Sequence, residues 1–135
     1  MLKSLLVATL LAVLLLTSND ASAQTPSAPG NPSNIGFVLY TKSHAPGTLN
    51  ARWIYGSKYR GSGIATGGPK DGYVGKYHVR YFLENGDFSD EYELVIEKSG
   101  DVYTVSWITG GHLSATGVGM EVEDGLAVGW RRVAD

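Results

Sequence analysis

The chain has 135 residues, enough for one domain, with 11 basic residues against 13 acidic ones and a formal net charge of −2. That near-balance, with no aromatic–basic motif, argues against a nucleic-acid partner. Cysteine is absent, which excludes a disulfide framework, a thiolate nucleophile and a cysteine metal site.

Met1-Leu2-Lys3 is a short basic start, Leu5 to Leu16 is apolar, and Ala21-Ser22-Ala23 has the small-x-small form of a signal-peptidase site. The expectation is a secretory signal over residues 1–23 and an exported protein, secreted or periplasmic. Spanning a bilayer takes about 20 apolar residues. The run is short for that, so no membrane span is expected after cleavage. Removal of Lys3 and Asp20 leaves the net charge at −2. Residues 24–34 (QTPSAPGNPSN) carry three of the five prolines and read as a disordered or extended leader.

The remainder, 35–135, reads as strands. Ile35 to Thr41 alternates Ile35, Phe37 and Leu39 with Gly36, Val38 and Tyr40. Pro46-Gly47 marks a loop, and Thr48 to Tyr55 places Leu49, Ala51, Trp53 and Tyr55 on one face. Gly61 to Gly68 is a weak glycine-rich strand around Ile64.

The segment from Tyr73 to Trp107 reads as three strands. Tyr77, Val79, Tyr81 and Leu83 share a face, and Asn85-Gly86 is a strong hairpin signal for a type I′ turn. Folding there sets Val79 opposite Tyr92, Tyr77 opposite Leu94 and Leu83 opposite Phe88. Ser99-Gly100 then sets Ile96 opposite Tyr103, Leu94 opposite Val105 and Tyr92 opposite Trp107. A four-residue loop, Thr109 to His112, pairs Trp107 with Ser114 and Val105 with Thr116. A loop of Glu123-Asp124-Gly125 pairs Val122 with Leu126, Met120 with Val128 and Val118 with Trp130. In this register Val118 and Met120 point inward.

No stretch after residue 23 sustains a 3.6-residue period. The expected fold is therefore all-β: one small antiparallel up-and-down barrel of about eight strands, with a two-sheet sandwich as the alternative. The charges split along the chain, with seven basic residues from Lys42 to Arg80 and seven acidic ones from Glu84 to Asp101. In the hairpin register Arg80 faces Glu91 and His78 faces Glu93, which reads as cross-strand pairing.

Two surfaces stand out. Tyr81, Asp90, Tyr92, Trp107, Ser114 and Thr116 gather at one end of the expected barrel, with Trp130 on the inward face of the last strand. Either these side chains simply fill the bore, or they line a cup for a small hydrophobic or aromatic molecule. Ala115, Gly117, Gly119, Ala127 and Gly129 form an outer face without side chains. Either that face relieves strain in the sheet, or it packs against the leader segment, a protein partner or a second copy of the chain.

Catalytic chemistry is not legible. His44, His78 and His112 are far apart with no H-x-H or H-E-x-x-H pattern, so neither a metal nor another cofactor is expected. G-x-S-x-G is absent, and Gly67-Gly68-Pro69-Lys70 lacks the spacing of a phosphate loop. Asp90 is the one candidate for a perturbed carboxylate. The expectation is a binding protein and not an enzyme.

Tyr103-Thr104-Val105-Ser106-Trp107, followed by Thr116-Gly117 and Trp130-Arg131, resembles the avidins over roughly Asp101 to Arg132. The resemblance implies an eight-stranded barrel in which Trp107 and Trp130 stack on a bound ring. The same stretch, with Gly-x-Gly-Met and Leu-Ala-Val-Gly-Trp, is also similar to small exported bacterial proteins, some labelled fibronectin-binding. That likeness implies adhesion. The alternative to a ligand-binding mouth is a protein-binding module that uses its outer face, as an adhesin or as an inhibitor of a periplasmic enzyme.

Overall fold

The computed structural model describes residues 30–133, so the expected signal and most of the leader lie outside the described residues. Eight antiparallel strands run in order: β1 (Gly36–Lys42), β2 (Leu49–Tyr55), β3 (Tyr59–Thr66), β4 (Gly75–Leu83), β5 (Phe88–Ser99), β6 (Val102–Thr109), β7 (His112–Val122) and β8 (Gly125–Arg132). Each pairs with its neighbours in sequence, and β8 closes onto β1. The fold is the expected up-and-down barrel, and among the described residues there is no helix. Closure leaves none of these eight strands with an unpaired edge.

The central hairpin keeps the expected pairs Val79–Tyr92 and Tyr77–Leu94, but it turns differently. Leu83 N–H donates to the Asp87 carbonyl at 2.8 Å, so the loop holds three residues, Glu84-Asn85-Gly86, and not two. Gly86 has φ 93°, whereas Asn85 stays at negative φ and accepts the Asp87 N–H on Oδ1 at 3.0 Å. This side-chain turn makes a type I′ geometry unnecessary. Phe88 therefore faces Phe82, and not Leu83. Ser89 is then an extra residue opposite the Tyr81–Phe82 step, a β-bulge that restores the expected register beyond it.

The next hairpin is shifted by two residues. Gly100, with φ 64°, and Asp101 form a two-residue turn, so Leu94 meets Trp107, Ile96 meets Val105 and Lys98 meets Tyr103. An even shift leaves every side chain on its expected face. On the outer surface Arg80 faces Glu91 and His78 faces Glu93 as expected, and His78 Nε2 also reaches Glu91 diagonally at 2.8 Å.

The β6–β7 hairpin overturns the facing of a whole strand. Gly110 and Gly111, at φ 55° and 81°, make a two-residue turn that pairs Thr109 with His112. Ser114 is then bulged out of the β6–β7 ladder, while its carbonyl accepts the N–H of Val133, the residue just after β8, at 2.9 Å. The bulge is an odd shift, so β7 turns over relative to the alternation of its hydrophobic residues. Trp107 faces Ala115 and Val105 faces Gly117, and a two-residue Glu123-Asp124 turn sets Gly119 against Val128 and Gly117 against Trp130. Ala115, Gly117 and Gly119 therefore point inward. Val118 and Met120, expected in the core, are 62% and 64% exposed.

Volume decides this reversal. A Cβ at Gly117 would lie 2.6 Å from the Gly129 carbonyl oxygen and 2.9 Å from Val128 Cγ1. The space a valine would need is already filled by the large residues of β6 and β8. The same complementarity recurs across the barrel, where inward Gly61, Gly63 and Ala65 of β3 sit opposite Leu83, Tyr81 and Val79 of β4. Small-lined strands make room for aromatic ones, which lets a narrow bore hold three tryptophans and several tyrosines.

The sealed core consists of Val38, Tyr40, Leu49, Val79, Leu94, Ile96, Val105, Leu126 and Val128, each almost fully buried. Burying a side chain of this size contributes about 1.5–3 kcal/mol. One end of the barrel is closed by tyrosines. Tyr77 OH donates to the Tyr73 carbonyl at 2.9 Å, Tyr73 meets Tyr103 edge to face, and Tyr103 OH bonds Glu121. Burial pushes the Tyr77 hydroxyl up to about 12. The other end is open.

Candidate ligand site at the barrel mouth

The open end is where β2, β4, β6 and β8 finish and β1, β3, β5 and β7 begin. A cavity of about 350 Å³ lies there, walled by Trp53, Tyr55, Tyr59, Tyr81, Tyr92, Trp107 and Trp130, with Val38, Leu83, Ser89, Asp90, Ala115 and Arg132 completing the lining. That volume is at the small end of the range for small-molecule pockets, and its walls are mostly aromatic, as such pockets require.

Trp107 forms the floor. It is only 3% exposed, and its Nε1–H donates to Tyr81 OH at 2.8 Å. Tyr81 OH in turn lies 2.6 Å from Tyr40 OH, deeper in the barrel. Desolvation raises both hydroxyls well above the ordinary tyrosine range, so both keep their protons at any physiological pH. Trp53 meets Tyr81 edge to face at 6.4 Å, and its own Nε1–H is taken by the Ser62 carbonyl at 2.9 Å.

A stack makes up one wall. Tyr55 lies on Trp130 with centroids 4.9 Å apart and planes 14° from parallel, and Trp107 follows at 6.0 Å from Trp130. The guanidinium of Arg132 covers Tyr55 from outside at 5.1 Å. Trp130 occupies this position because its indole crosses Gly36, where a Cβ would fall 2.2 Å from the ring.

Asn34 pins this wall in place. At φ 47° it turns its side chain onto β8, where Oδ1 accepts Arg132 N–H at 2.7 Å and Nδ2 donates to the Arg132 carbonyl at 3.1 Å. Tyr55 OH donates to the same Oδ1 at 3.2 Å. One amide thus continues the β1–β8 ladder beyond its last backbone pair. Asn34 belongs to the barrel, and the expected leader is tied down at its end.

Across the mouth Tyr92 OH donates to Asp90. Burial and then the Asp90 carboxylate raise the Tyr92 hydroxyl, which Arg132 only partly offsets. The rim therefore carries one carboxylate already engaged by a phenol and one guanidinium resting on a ring.

Compared with protein-family models, curated proteins and solved structures, the chain matches none.

Of the residues expected here, Tyr81, Asp90, Tyr92, Trp107 and Trp130 all line the cavity. Ser114 and Thr116 do not. Ser114 sits at the bulge with Oγ on Thr109 Oγ1 at 2.9 Å, and Thr116 lies opposite Ser106 and Arg131 on the outer face. Ala115, expected outside, is buried and faces the cavity. Gly117 and Gly119 are interior as well, so only Ala127 and Gly129 of the expected smooth surface point outward. Trp53 and Tyr55 share the inward face expected for β2, but nothing local in the sequence placed them beside Trp107. Arg132 and Asn34 lacked even that signal, because their roles depend on barrel closure.

Proposed function

We propose that this chain is an exported β-barrel binding protein that takes a small hydrophobic or aromatic ligand into its mouth, without catalysis. The observation that carries the reading is the half-open aromatic cavity above Trp107, since a bore filled by side chains would have left none. Its lining offers flat apolar walls for a ring, and two charged groups, Asp90 and Arg132, only at the rim. Both tryptophans that the avidin resemblance implicates, Trp107 and Trp130, stand in that lining. Export is supported by the basic, apolar and small-x-small order of residues 1–23.

All three tryptophans of the chain line the cavity, so tryptophan emission, excited selectively over tyrosine, reports on this site. Titration with indane, a bicyclic apolar probe, should change the emission in a saturable way. Ala115→Leu, which fills the mouth from β7, should abolish that response while near-ultraviolet circular dichroism stays native. A response that never saturates, or one that survives Ala115→Leu, would refute the pocket reading.

A second reading, a protein partner held on the outside, draws on a different observation. Val118, Gly129, Phe37 and Ile54 form a row across four neighbouring strands. Its three large members are each at least 45% exposed. A glycine between apolar side chains suits close docking of another surface. This row replaces the Ala115–Gly119 face as the candidate for adhesion or self-assembly.

A further inference from the structure

The outer wall of the barrel carries a second cavity. It is a groove of about 470 Å³ at the start of β3, with Phe37, Leu39 and Ile54 on its apolar side and Arg52, Arg60 and Glu84 as its charged groups. The small residues of β3 create it. Gly61 and Gly63 turn inward opposite Leu83 and Tyr81, so Ser62 between them is the side chain that this stretch turns outward. In register Ser62 lies between Arg52 and Phe82. One hydroxymethyl group between two long side chains leaves a trench.

Charge and apolar surface together set what fits. Arg60 lies 3.6 Å from Glu84, and that exposed pair is neutral as a unit. Arg52 forms no ion pair among the described residues. Leu39 lies opposite Arg52, and Phe37 lies opposite Ile54. With neighbouring strands about 4.8 Å apart and a rise of about 3.4 Å per residue, all three apolar positions fall within about 8 Å of Arg52. Phe37 and Ile54 are nearly half exposed, so both have carbon surface left to cover.

We infer that this groove is a second binding site, which takes a monoanionic amphiphile with its carboxylate on Arg52 and its apolar chain on Leu39, Ile54 and Phe37. The planar guanidinium matches a carboxylate with two parallel hydrogen bonds. An exposed ion pair contributes little by itself, so a bare anion does not suffice. Covering the three apolar side chains supplies the rest. A cationic head would be repelled by Arg52. The site does not depend on the mouth. Trp53 stands in the linings of both cavities, with its Nε1–H fixed on the Ser62 carbonyl. Phe37 and Ile54 also belong to the outer apolar row, so an amphiphile here would compete with a protein docked on that row.

Because Trp53 borders both cavities, backbone amide NMR on the full exported chain is the discriminating readout, with octanoate, 1-octanol and acetate as probes. Octanoate should shift the amides of Arg52, Ile54 and Ser62 in a saturable way, whereas acetate should leave them in place. The affinity ratio of octanoate to 1-octanol should fall about fivefold in Arg52→Gln, the share of a surface ion pair. Ser62→Leu, which plants a branched side chain in the trench, should abolish binding of both. Both positions are exposed, so circular dichroism should stay native. Ala115→Leu fills the mouth and should leave octanoate binding unchanged. A ratio unaffected by Arg52→Gln overturns the inference, as does octanoate binding that survives Ser62→Leu. Loss of octanoate binding in Ala115→Leu also overturns it, by placing the chain in the mouth. Arg52-dependent co-sedimentation with phosphatidylglycerol vesicles, without binding of free octanoate, would assign the groove to a membrane surface instead. Failure of indane to enter the mouth alters none of these outcomes, so either site can fail while the other stands.

Discussion

Gly117→Ala and Val118→Lys together test the reversal of β7, the point on which the interior and exterior of this barrel turn. A methyl group at position 117 would be aimed at the Gly129 carbonyl oxygen, 2.6 Å away, and at Val128 Cγ1, 2.9 Å away. The first obstacle is backbone, so relief requires the β7–β8 ladder to shift. Overpacking of this kind costs roughly 1–3 kcal/mol, and relief through the backbone places Gly117→Ala in the upper part of that range. For a domain near 100 residues the melting temperature should then drop by at least about 4 °C. Position 118 is 62% exposed, so Val118→Lys should stay within about 0.5 kcal/mol of the parent. Urea denaturation followed by tryptophan fluorescence measures both. A neutral Gly117→Ala beside a Val118→Lys that loses more than about 2 kcal/mol would place Val118 in the core and refute the bulge at Ser114. The lysine variant has a second use. If the outer row assembles copies of the chain, sedimentation should show Val118→Lys folded but dissociated.

Alkali should unfold the barrel through its buried tyrosines. The folded-state hydroxyls of Tyr40 and Tyr81 are raised above their unfolded value near 10, so their contribution is intact below pH 10 and is lost as pH rises beyond it. Each tyrosine that ionises only on unfolding removes about 1.4 kcal/mol per pH unit. Stability flat from pH 7 to 9 and falling steeply above 10 is the expected profile. A midpoint independent of pH up to 12 would show these hydroxyls to be open to solvent. Export predicts that the intact mass of the secreted or periplasmic protein corresponds to a chain starting at Gln24, and a mass that retains Met1 or Leu2 would contradict it.

Local chemistry in the sequence was enough to place the strands, the neighbourhood of the hairpin turns and the closed antiparallel order, but not the length or exact position of those turns from β4 to β8. Period-two alternation and glycine-bearing turns act between neighbouring residues, and a barrel of sequential hairpins uses only neighbouring strands. The inward set Tyr77, Val79, Tyr81, Leu94, Ile96, Tyr103, Val105 and Trp107 followed from that alternation, and it survived a two-residue error at Gly100 because an even slip preserves facing. The odd slip at Ser114 was not visible. Hydrophobicity favoured Val118 and Met120 for the interior, and nothing in β7 itself records that Val128, Trp107 and Trp130 already occupy that space. The depth of the cavity, the Tyr55–Trp130 stack and the Asn34 clamp likewise depend on β8 closing onto β1, which joins residues almost a hundred positions apart. The side chains that make a pocket are legible one strand at a time, but whether they leave room inside is decided only when all eight strands compete for the same volume.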